Sequence, residues 1–147
     1  MCTGTPGGPK LGDSLKSKII ADLQRSRKHL EYSFNKVRMV NFDRSFDEQG
    51  LETLESFASR FSRFSDLAIK QWLSFLARES DPGFRGSIID LLNLAEKCGW
   101  IGSATEWRRI RELRNLAAHE YSAEDFKELY RELVAKAPIL FALKIDA

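Results

Sequence analysis

The chain has 147 residues, enough for one compact domain with its own core and too few to expect two. Hydrophobic residues make up 43% and charged residues 30%, the balance of an ordinary globular domain rather than of a disordered or fibrous chain. The 23 basic residues barely outnumber the 21 acidic ones, so the formal charge of +2 excludes nucleic-acid binding by bulk charge and leaves it to a local patch.

Met1 to Gly12 is small and polar and lacks the apolar run of a signal peptide, so residues 1–12 are expected to form a flexible tail ahead of a single helical domain over residues 13–147. A first helix is expected from about Asp13 to Val40, with Leu15, Ile19, Leu23, Leu30, Phe34 and Val37 on one side. Asp43 to Gly50 is polar enough to connect it to the next. From about Gln49 to Arg78, the apolar residues Leu51, Leu54, Phe57, Phe61, Phe64, Ala68, Trp72 and Phe75 step by three or four, which predicts one long amphipathic helix ending before Ser80-Asp81-Pro82-Gly83. A shorter helix follows from about Ser87 to Cys98, and Gly99 is placed to terminate it. Gly102-Ser103 opens a fourth helix carrying Trp107, Ile110, Leu113 and Ala117. The last helix is expected to begin at Ser122, three residues before Asp125 in a capping-box-like pattern, with Pro138 placed to kink it. No alternating strand pattern and no internal repeat is present. The fold class is therefore all-α, an antiparallel four- to five-helix bundle.

Cys2 and Cys98 are far apart in sequence, with no histidine at ligand spacing, which argues against a disulfide scaffold and a zinc site and suits a reducing cytoplasm. No apolar stretch approaches the ~18–20 residues that span a membrane. The chain has no glycine-rich phosphate loop, no paired-histidine metal motif and no Gly-x-Ser-x-Gly elbow. No cofactor and no metal is expected. Trp72, Trp100 and Trp107 are read as packing residues rather than as base-stacking platforms.

The two histidines are His29 and His119. His29 lies in a charged stretch and is read as a surface residue. His119 sits in Arg111-Glu-Leu-Arg114-Asn115-Leu-Ala-Ala-His119-Glu-Tyr121. On a helix, Arg111, Asn115 and His119 form one row, and Arg114, Ala118 and Tyr121 the adjacent row. Two arginines, an amide, an imidazole and a phenol so gathered suit phosphoryl transfer on RNA without a metal. A neutral imidazole can take the proton of a ribose 2′-hydroxyl, and an imidazolium can protonate the leaving oxygen. An arginine can grip the scissile phosphate through paired hydrogen bonds. One histidine per chain is thin for both transfers, whereas a symmetric pair of chains supplies two. Judged on spacing alone, C-terminal capping of a helix with favourable dipole interactions is the slightly better account of the same residues.

Arg114-Asn115-x-x-x-His119 resembles the Arg-x4–6-His signature of the HEPN superfamily, and with Tyr121 it resembles the Arg-x4-His-x-Tyr pattern of HepT toxins. Phe61-Ser-Arg-Phe64 through Trp72-Leu73, then Gly99-Trp100-Ile101 and Trp107, follow the order seen in HepT and related nucleotidyltransferase-binding proteins. The resemblance runs from about Leu54 to Phe141. It implies a HEPN-like bundle that forms a symmetric homodimer around a basic cleft and acts as a metal-independent endoribonuclease in the cytoplasm. It implies Arg114 and His119 as the catalytic pair, oriented by Asn115. It also implies Tyr121 as the residue to which a partner minimal nucleotidyltransferase, the antitoxin, transfers AMP. A phosphate contact by Arg111 is an inference from its neighbouring position. The same architecture serves non-catalytic HEPN modules that present a substrate to a nucleotidyltransferase, and that alternative stands beside the RNase reading.

Overall fold

The computed structural model describes residues 10–119 and 127–145. Six α-helices and one π-helical segment appear in the order α1 (Lys10–Val37), α2 (Glu48–Asp66), the π segment (Leu67–Leu73), α3 (Ser74–Ser80), α4 (Ile88–Lys97), α5 (Ala104–Ala117) and α6 (Lys127–Phe141). Since α2, the π segment and α3 follow one another without a break, the described chain forms five helical rods, an all-helical bundle. Among the described residues there is no strand, and no helix is long and apolar enough to cross a membrane.

Local signals set most of the boundaries. Asp47 caps α2 by accepting from the Gly50 amide at 2.7 Å. Ser87 and Asp90 cap α4 reciprocally, each side chain taking the other's backbone N–H. Gly99, with φ of 78°, ends α4: its amide bonds to the Glu96 carbonyl and that of Trp100 to the Ala95 carbonyl, a full Schellman closure. Ser103 accepts from the Glu106 amide, while Glu96 reaches across from α4 to take the first free N–H of α5 at 2.7 Å. Helix α1 stops at Val37, three residues before the expected Val40. The start of the last helix, with its proposed Ser122 cap, lies outside the described residues. Pro138 stays within α6.

The long rod is the centre of the bundle. α2 packs against α1, α5 and α6, and the π segment reaches α1 and α4. Leu54, Phe57, Phe61, Phe64, Ala68, Trp72 and Leu73 on it are essentially inaccessible. One feature departs from the expected uniform helix. Over Leu67–Leu73 the rod is π-helical, and its buried positions come as the doublets Ala68-Ile69 and Trp72-Leu73, as Phe57-Ala58 and Phe64-Ser65 do on the α-helical stretch before it. The residues after α6 close over this region. Trp72 Nε1 donates to the Lys144 carbonyl at 3.0 Å, and Arg27 Nη2 to that of Leu143 at 2.6 Å. Leu143 and Ile145 are buried.

Cys98, the C-cap of α4, is disulfide-bonded, against the expectation from cysteine spacing. The chain's other cysteine, Cys2, lies outside the described residues. A disulfide at Cys98 removes the support that cysteine usage lent to a reducing compartment.

Salt bridges fasten α6 to α5. Arg109 makes a two-pronged bond to Glu132 (2.6 and 2.7 Å), and Lys136 pairs with Glu106 at 2.9 Å. The Arg109 hydrogen bonds hold the Glu132 carboxyl below its ordinary range against the opposing effect of desolvation. A lowered carboxylate pKa contributes stability that is complete above the ordinary range and lost as pH falls through the lowered value. Replacing Glu132 by Gln should therefore lower the melting temperature at neutral pH and flatten its decline on acidification. Truncation of the central spine at Phe61→Ala should cost about 3–5 kcal/mol in urea unfolding.

Candidate functional site

Where α5 runs beside the polar flank of α2, the side chains leave a groove of about 960 Å³. Its α2 wall carries Glu55, Ser59, Ser62, Arg63 and Asp66, and Leu67 opens the π segment at its end. The opposite wall carries Arg114, Ala117, Ala118 and His119, and Tyr130 of α6 closes one side. Ala58, Ala117 and Ala118 have little bulk, which keeps the space open.

Arg114 is the most firmly placed of the groove residues. Its Nε lies 3.0 and 3.2 Å from the two carboxylate oxygens of Asp66, and its Nη2 lies 2.8 Å from Oδ2. Both side chains are 28% exposed, so the pair is half-buried and weakly screened. Asp66 hydrogen bonds raise the Arg114 pKa above its ordinary value, against a smaller opposing effect of desolvation. The fork geometry uses the Nε–Nη2 edge of the guanidinium. Among the described residues Nη1 makes no hydrogen bond.

His119 reaches the same groove by a different route from the one expected. α5 ends at Ala117 with Ala118 as its C-cap, and His119 lies just beyond in a bend, exposed. The amides of Ala118 and His119 bond to the carbonyls of Asn115 and Leu116 at 3.3 and 3.2 Å, tightening the last turn. The row Arg111–Asn115–His119 is thus broken before its third member. Asn115 is exposed and Arg111 half-buried, and neither lines the groove. The structure brings together Arg114 and His119 and leaves Asn115 and Arg111 on an adjacent face. Tyr121 lies outside the described residues. Arg114 directs its fork at Asp66 rather than at the last carbonyls of its own helix, which is not what side-chain capping requires.

Two groove residues escaped the sequence reading. Asp66 belongs to the solvent-facing flank of an amphipathic helix, and nothing in its spacing distinguishes it from Glu52 or Glu55. Tyr130 reads as an ordinary aromatic of α6. Burial and the nearby Glu55 charge raise its pKa, so its phenol stays protonated and can donate. Among the described residues no three His, Cys, Asp or Glu side chains are grouped as a metal site. The groove thus offers one imidazole, two guanidinium groups and hydroxyls from Ser59, Ser62 and Tyr130, facing two carboxylates. Such a set suits an anion that also accepts hydrogen bonds. Comparison with protein-family models, curated proteins and solved structures finds no match.

Replacing Asp66 by Ala should leave Arg114 without its partner in a half-buried site. The expected cost is about 1–2 kcal/mol in chemical denaturation, above that of an exposed pair and below that of a fully buried one. Arg114→Ala should cost about as much, and the double variant less than the sum of the two.

Proposed function

We propose that this chain is a HEPN-type, metal-independent endoribonuclease, the toxin of a toxin–antitoxin pair. The observation that supports it best is the meeting of Arg114 and His119 in one groove, with the arginine held by Asp66. In this reading a ribose 2′-hydroxyl gives its proton to a neutral His119 imidazole and attacks the adjacent phosphorus. The 5′-oxygen leaves and takes a proton from an imidazolium, giving a 2′,3′-cyclic phosphate and a free 5′-hydroxyl. Arg114 stabilises the charge that builds on the phosphoryl oxygens, and Asp66 supplies its orientation in advance, which removes a rotamer cost from the reaction. Two proton transfers on opposite sides of the phosphorus call for two imidazoles. We therefore propose a homodimer in which each chain contributes its groove and its His119 to a shared cleft. Asn115 and Arg111, on the neighbouring face of α5, would meet RNA only through that second copy.

AMP placed on Tyr121 by a partner nucleotidyltransferase would add an anion two residues from His119, compete for the groove cations and silence the enzyme. A second reading, a non-catalytic module that presents a substrate to such a partner, draws on the same ion pair. Asp66 already takes two of the arginine donors that a phosphate would use.

Purified protein, verified by mass spectrometry to lack AMP, should cut total cellular RNA in EDTA. His119→Ala and Arg114→Ala should each slow cutting about 100-fold or more with the helical circular dichroism unchanged. Intact RNA after incubation with the unmodified wild type would favour the binding-module reading instead.

A further inference from the structure

On the other flank of α2 lies a second depression, against α1. A small cleft of about 200 Å³ is lined by Tyr32, Ser33, Lys36, Glu52, Thr53, Ser56 and Arg60. It continues through Lys36 and Thr53 into a larger hollow of about 510 Å³ that includes Met39 and Arg44. Tyr32 is 62% exposed and Met39 84% exposed, so both offer apolar surface to solvent. Lys36 Nζ stands 5.5 Å and Arg60 Cζ 5.9 Å from the Tyr32 ring centroid. Arg60 is fixed there by the Ser33 hydroxyl at 2.8 Å and the His29 carbonyl at 3.2 Å.

We propose that this cleft is a second contact surface for single-stranded RNA, holding nucleotides beyond the bond that the Arg114–His119 groove would cleave. The inference rests on the RNase reading above and extends it. Three observations carry it. First, among the described residues Lys36, Arg44 and Arg60 have no carboxylate partner at ion-pair distance, whereas Lys18, Arg25, Arg109, Arg114, Arg131 and Lys136 do. Two carboxylates line these hollows, Glu52 in the cleft and Asp47, which also caps α2, in the larger one. Second, an exposed aromatic ring beside cations that have no carboxylate partner among the described residues matches a nucleic-acid strand, which presents a base and a phosphate at every step. An acidic polypeptide would use the cations and leave the ring without a purpose. Third, the two depressions share one wall. Glu55, Ser59, Ser62 and Arg63 face the groove, and Thr53, Ser56 and Arg60 face the cleft, on the two flanks of a ridge of α2. The ridge is about one helix diameter across, ~10 Å. Serines keep it low, and the exposed Arg63 on it offers a phosphate contact midway.

The test is binding of a fluorescent oligonucleotide of about ten residues, 2′-O-methylated so that it cannot be cut, by anisotropy over a range of salt. Tyr32→Ala should weaken binding about tenfold through lost stacking. Lys36→Gln should lower the slope of log affinity against log salt by about 0.7, the value for one lost phosphate contact on a single strand. Lys97→Gln, an exposed cation at the end of α4, should leave the slope unchanged. All three positions are exposed, and melting curves verify the fold. If the wild type binds and both cleft variants bind equally well with the same slope, the second surface is wrong and the groove alone holds the RNA. If the wild type fails to bind at all, the RNase reading falls, and this inference with it.

Discussion

Burial of one long apolar face governs this structure. The rod formed by α2, the π segment and α3 turns its phenylalanines and Trp72 inward along its whole length, and α1, α5 and α6 pack around it. Each fully buried Phe or Leu side chain contributes about 1.5–3 kcal/mol relative to exposure, so the summed preference for this face is large against a typical net stability. The other rods take their places from it. The two flanks bordering the buried stripe become the walls of both depressions, one against α5 and one against α1. A single helix therefore supplies the core, half of the candidate groove and half of the neighbouring cleft.

The change from α to π geometry occurs directly after Asp66. α-helical phasing keeps Phe57, Phe61 and Phe64 inward up to that point, with Asp66 on the flank that faces α5. Beyond it Ala68, Ile69, Trp72 and Leu73 of the π segment are buried, and Trp72 reaches the carbonyl of Lys144. Asp66 sits at this joint, opposite Arg114 on the last turn of α5.

The Asp66–Arg114 pair has two opposing consequences for an anion in the groove. The carboxylate partly neutralises the guanidinium and so weakens its long-range attraction. It also fixes a side chain that otherwise carries about 2 kcal/mol of rotamer entropy. Preorganisation of this kind matters more for charge that appears during a reaction than for tight binding of a ground state. Arg63 and the cations of the α1 cleft have no such partners among the described residues, and they suit the complementary task of attracting a polyanion.

The sequence by itself determined the all-helical fold, the five rods and most of their ends. Apolar periodicity and the residues Asp47, Ser87, Gly99 and Ser103 act within a few positions of where they stand. It also singled out Arg114 and His119, because their residue types and spacing are unusual in one short stretch. Only the tertiary structure decided the rest. The pairing of Asp66 with Arg114, the place of Tyr130, the exclusion of Asn115 and Arg111 from the groove and the bonding of Cys98 all depend on which helices lie side by side. The π turn over Leu67–Leu73 left no mark on the three-to-four apolar stripe, which runs through it unchanged. The exit of His119 from the helix depends on where α5 closes its last carbonyls. Local signals are written in neighbouring residues, whereas contacts between residues 48 positions apart arise only once the apolar face has chosen what to pack against.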